Sequence, residues 1–151
     1  MNPYQKVSHS WAIALLCVFL SGTVFAAPAR VSFTVSGFDS DSPDESISGS
    51  IDIDLDENSQ LVTAIIAVNL TINGHAFQVN ELGFSEYRSF NIVGAKGEGL
   101  GSVTGIVHGA PFDFWILWDK GTGLPREFSY TGAVDDVHST KQFDSFSIDP
   151  L

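Results

Sequence analysis

The stretch Ile47-Ser-Gly-Ser-Ile-Asp-Ile-Asp-Leu-Asp56 alternates with a period of two, and it restricts the fold of this chain more than any other feature. On an extended backbone Ile47, Gly49, Ile51, Ile53 and Leu55 share one side, and Ser48, Ser50, Asp52, Asp54 and Asp56 share the other. A helix would scatter both sets around its surface, so the segment is read as a half-buried strand with an acidic outer face. Glu57-Asn-Ser-Gln60 separates it from Leu61-Val-Thr-Ala-Ile-Ile-Ala-Val-Asn-Leu-Thr-Ile72, where Val62, Ala64, Ile66, Val68, Leu70 and Ile72 form the apolar row. Pairing Asp56 with Leu61 sets Leu55 against Val62, Ile53 against Ala64 and Ile51 against Ile66. The sequence therefore predicts a hairpin in one unbroken register.

Asn73-Gly74 is the strongest short turn signal in the chain and returns it into a strand over His75–Val79. An opening strand is expected at 30–37, and further strands at 89–93, 99–108, 112–119, 125–132 and 142–148. No segment after the first 26 residues keeps the i, i+3, i+4, i+7 apolar pattern of a helix. The prediction is an all-β domain, an antiparallel meander of about eight strands forming an up-and-down barrel or a β-sandwich. Asp39–Ser46 and Gly94–Gly99, rich in turn formers with little to bury, are the segments expected to move most.

The first 26 residues read as a secretory signal: Lys6, the apolar run Trp11–Leu20, and small residues around Val24-Phe-Ala26, with cleavage expected after Ala26. The run is shorter than the roughly 20 residues that span a bilayer, so no stable membrane anchor is expected after cleavage. Cys17, the one cysteine, lies inside that run, and residues 27–151 must fold without disulfides as a single domain. The chain has a formal net charge of −11, and removing Lys6 makes the remainder more acidic still. Such a surface repels phosphate backbones and offers no basic cluster, which excludes nucleic acid as a partner. The expected location is secreted or periplasmic.

The segments "GSIDIDLDENSQLVTAIIAVNLTING" and "FWILWDKGTGLPREFSYTG" both run strand, Asp-initiated turn, strand. In this the chain resembles exported bacterial β-domain proteins of the PEP-CTERM-associated type. Their Pro-Glu-Pro, apolar helix and basic tail is not matched by "FDSFSIDPL". The resemblance implies export and a β-domain, but no reaction and no catalytic residues.

Motif by motif, the chemistry is sparse. Asp52, Asp54 and Asp56 have the spacing that opens a calcium loop, but Glu57 stands where that loop needs glycine and Thr63 where it needs a bidentate glutamate. The oxygen-rich Asp39, Asp41, Asp44 and Glu45 are a better candidate for weakly held calcium, and no other cofactor is implied. His75, His108 and His138 share no ligand spacing, and "Asp135-Asp-Val-His138" reads as ordinary polar surface. Asn69-Leu-Thr71 is a formal glycan acceptor placed mid-strand. No catalytic set emerges, and a non-enzymatic protein is expected.

"Phe112-Asp-Phe-Trp-Ile-Leu-Trp-Asp119" stands apart, because large apolar groups occupy both of its faces. Continuing the register of the Asp119–Leu124 turn would oppose Trp115 to Phe128 and Leu117 to Arg126; a register shifted by one would oppose Ile116 to Phe128 and Phe114 to Tyr130. In either case one face supplies the core and the other must be covered. Trp115, Leu117, Trp118, Phe128 and Tyr130 are the candidate binding residues, for a protein, a glycan or a second copy of the chain. The expected role is that of a secreted, acidic, structural or binding β-domain. The alternative is a small carbohydrate-active hydrolase using Asp113 or Asp119 beside the aromatic strand.

Overall fold

A computed structural model describes residues 26–96, 112–133 and 136–151. Strands β1 (Ala26–Ser36), β2 (Ser46–Asp56), β3 (Val62–Ile72) and the two-residue β4 (His75–Ala76) come first, followed by a 3₁₀ turn at Val79–Glu81. Then come β5 (Leu82–Tyr87), β6 (Phe90–Ala95), β7 (Phe114–Asp119), β8 (Pro125–Ala133), β9 (Asp136–Thr140) and β10 (Gln142–Pro150). They form two five-stranded antiparallel sheets, ordered β10-β1-β2-β3-β4 and β5-β6-β7-β8-β9. The sheets do not close on each other, so the architecture is a β-sandwich and not a barrel. Among the described residues no helix is long and apolar enough to cross a membrane.

The strand expected at His75–Val79 keeps only its first two residues, because the chain turns through Val79–Glu81 to cross from one sheet to the other. Strands β5 and β9 were not expected. The strand expected at 99–108 and the signal segment lie outside the described residues, apart from Ala26, which opens β1 opposite Asp56.

The core forms where the inward rows of the two sheets meet. Val31, Phe33 and Val35 of β1, Ile47, Ile51, Ile53 and Leu55 of β2, and Leu70 and Ile72 of β3 face Val93, Phe114, Ile116, Trp118, Phe128 and Tyr130. Their rings interlock across the gap, with Phe33 and Phe128 centroids 5.5 Å apart and Phe77 edge-on to Phe114 at 4.7 Å. Burying large rings in close contact is what holds a cysteine-free sandwich of this size together.

The β2–β3 hairpin corrects the unbroken register. Leu55 opposes Val62 as expected, but Ile53 opposes Ile65 and Ile51 opposes Val68. The cause is a pair of β-bulges in which Thr63 and Ile66 are extra residues on β3, each resetting the alternation. Ile65 and Val68 consequently pack against the core, while Ile66, expected inside, is 48% exposed.

Candidate functional site

The β7–β8 hairpin begins like the first. The Asp119 N–H donates to the Leu124 carbonyl at 2.9 Å, as Asp56 donates to Leu61 at 2.8 Å. One residue later a bulge at Arg126 moves the pairing into the shifted register, with Ile116 opposite Phe128 and Phe114 opposite Tyr130. That shift divides the five candidate binding residues. Trp118, Phe128 and Tyr130 point into the core, Trp118 being only 1% exposed, and none of them offers a surface. Trp115 and Leu117 point outward and are half-buried.

The outward face of the second sheet is apolar on the β6 side of them and polar on the β8 side. Leu117 lies opposite Ile92 and Trp115 opposite Gly94 across the β6–β7 ladder, and on the other side they oppose Glu127 and Ser129. Ile92 is 5% exposed, yet it lies outside the core cluster, as its outward orientation requires. Gly94 is demanded by close approach: a Cβ there would sit 2.1 Å from the Phe114 carbonyl oxygen. The Trp115 indole N–H is buried without a hydrogen-bond partner among the described residues. At the rim the Arg126 guanidinium lies 5.3 Å from the centre of the Phe90 ring.

The two acids of the hydrolase alternative sit differently. Asp113 is buried; its N–H donates to the Thr131 hydroxyl at 3.0 Å and its carbonyl accepts from the Thr131 N–H at 2.9 Å. Asp119 folds over its own turn, its Oδ1 accepting from Gly121 N–H, Thr122 N–H and the Thr122 hydroxyl at 2.9 to 3.1 Å. Asp56 closes its turn in the same way with Asn58 and Ser59. Both carboxyls are held below the usual range, first by a backbone N–H, from Thr122 and Ser59 respectively.

The oxygen-rich loop between β1 and β2 does not converge on one point. Asp39 turns toward His138, Asp41 accepts from the Ser40 hydroxyl at 3.2 Å, and Glu45 is exposed. Asp44 lies at the Tyr130 hydroxyl, which shares a 2.6 Å hydrogen bond with Ser42 and whose pKa burial raises. Among the described residues no three His, Asp or Glu side chains gather as a metal site. Asp52, from the motif that opened like a calcium loop, instead takes both prongs of Arg30 at 2.7 and 2.9 Å.

His138 corrects its reading as polar surface. It is 1% exposed, with Nδ1 2.7 Å from an Asp39 carboxylate oxygen and Nε2 3.1 Å from one of Asp136. The carboxylates lie against opposite ring nitrogens, so they cannot share an ion with it. This contact and the Ser42–Tyr130 bond tie the Asp39–Ser46 loop to the second sheet; of the Gly94–Gly99 segment, Gly94 and Ala95 lie in β6 and 97–99 lie outside the described residues. The adjacent acids of "DDVH" were the available signal; that the ring turns inward depends on β9, a strand the sequence did not announce. His75 stacks on Phe112 at 4.6 Å, and His108 lies outside the described residues.

Compared with known proteins, the chain matches no family model, no curated protein and no solved structure.

Proposed function

We propose that this is an exported, non-catalytic β-sandwich whose outward β7 face receives a partner, either a protein or a glycan. One observation carries the reading: Trp115 and Leu117 stand half-buried beside Ile92 on the outward side of a sheet in a chain whose net charge is −11. An indole paired with a leucine on a flat sheet presents the rigid, amphipathic surface that sugars and apolar protein anchors stack upon. Export rests on the signal-like first 26 residues and on the resemblance to exported β-domains.

The test is binding of the purified protein to a panel of soluble and insoluble polysaccharides and to immobilised envelope proteins, set beside Trp115→Ser and Leu117→Ser. The expected result is at least one ligand whose binding falls by roughly tenfold or more in both variants, with far-ultraviolet circular dichroism unchanged. Binding that survives both substitutions, or no binding to any member of the panel, overturns the reading.

A further inference from the structure

From Asn58 to Asn80 the chain carries no Asp, Glu, Lys or Arg, although the whole sequence has 18 acidic and 7 basic residues. The fold places the middle of this run on a sheet edge. Strand β4 pairs only with Thr71 and Ile72, the Phe77 N–H reaches the Leu70 carbonyl at 3.0 Å, and the Val62 N–H is taken by the Asn91 side chain at 3.2 Å. Between those covered ends, Thr63–Asn69 has no neighbouring strand on its outer side among the described residues.

The other edges are guarded by charge. Strand β10 carries Asp144 and Asp149 and ends in Pro150, β5 carries Glu86, and β9 opens on Asp136. On β3 the bulges twist the strand, which is itself a guard, but the second of them leaves Ile66 48% exposed on a strand with no charged residue of its own. Beside it runs an open groove of about 720 Å³ lined by Ala64, Ile65, Val79 and Phe84 together with Lys96, with Val79 exposed.

We infer that the outer edge of β3 pairs with the same edge of a second copy of this chain, antiparallel about a two-fold axis at Ile66. The choice of partner follows from charge. Two chains at −11 repel wherever their acidic surfaces meet, and β3 itself brings no carboxylate to a contact, Asp52 and Asp54 lying one strand behind it on β2. An antiparallel arrangement centred on Ile66 sets Thr63 against Asn69 and Ala64 against Val68, and covers both Ile66 side chains. It joins the first sheets of the two copies into one.

Sedimentation velocity of the purified protein, from micromolar to millimolar concentration and at low and high NaCl, tests this. The expected result is a monomer–dimer equilibrium that tightens as salt screens the repulsion between copies. Ile66→Lys and Asn69→Lys, both at exposed positions, each weaken it by roughly tenfold or more. Ser145→Lys on the β10 edge and Trp115→Ser on the β7 face leave it unchanged, which separates this edge from the partner face above. A strict monomer at every concentration overturns the inference, as does a dimer that salt weakens, one that tolerates both lysines at the β3 edge, or one that Ser145→Lys weakens equally. Circular dichroism of each variant confirms that the fold is retained; should Ile66→Lys unfold, Asn69→Lys decides.

Discussion

The β2–β3 and β7–β8 hairpins share a turn and little else. In both, an Asp opens the loop and caps it with Oδ1, the Asp N–H donates to a Leu carbonyl, and the fourth residue after the Asp is left-handed: Gln60 at φ 56° and Gly123 at φ 67°. Beyond the turn they diverge. The first hairpin runs out to a sheet edge and sheds Thr63 and Ile66 at two bulges, whereas the second lies inside its sheet and spends one bulge at Arg126. A shared turn thus fixes how two strands start to pair, and the layers around the strands decide which side chains end up inside.

The sharpest way to break this comparison is to truncate one isoleucine from each hairpin. Ile116→Ala removes a fully buried side chain between Val93 and Phe128 and should cost about 2 to 5 kcal/mol. Ile66→Ala should change stability by no more than about 0.5 kcal/mol. Urea unfolding of both variants measures the difference, and equal losses would mean that the bulge does not expel Ile66.

Next in size is the link between the two hairpins. Asn91 sits on β6 opposite Trp118 and reaches the first hairpin, its Oδ1 accepting from Val62 N–H at 3.2 Å and its Nδ2 donating to the Gln60 carbonyl at 2.8 Å. Asn91→Ala leaves a buried backbone N–H unpaired and should destabilise by about 1 to 3 kcal/mol, read in the same unfolding experiment. A neutral result would show that water replaces the amide at no cost.

Smallest is an exchange within the turns themselves. Gln60 occupies a backbone region that disfavours side chains and Gly123 fills its equivalent, so Gln60→Gly should stabilise and Gly123→Gln destabilise, each by up to about 1 kcal/mol. Shifts of the same sign would mean that the two turns differ in ways the shared hydrogen bonds conceal.

The same contrast explains what could be read from the residues. The all-β class, both Asp-initiated turns and the alternation of β2 are local properties, carried by period and turn chemistry, and they appear in the fold as expected. The bulges at Thr63, Ile66 and Arg126 have no local signature, since an alternating apolar row looks the same whether or not it slips by one residue. For that reason Ile66 was expected inside, and Trp118, Phe128 and Tyr130 were grouped with Trp115 and Leu117 as a surface. His138 escaped for a related reason: its partner Asp39 lies 99 residues away in the chain. Strands β5 and β9 carry too few alternating apolar residues to announce themselves, Glu86 and Asp136 being among those they contain.

Strand β10 joins the first sheet beside β1, so that Val31 opposes Ile51 on one side and Ile148 on the other. A strand made at the start of the domain therefore waits for one made at its end. Contacts spanning so much of the chain are slow to form, and the first sheet gains its fifth strand only once β10 is in place.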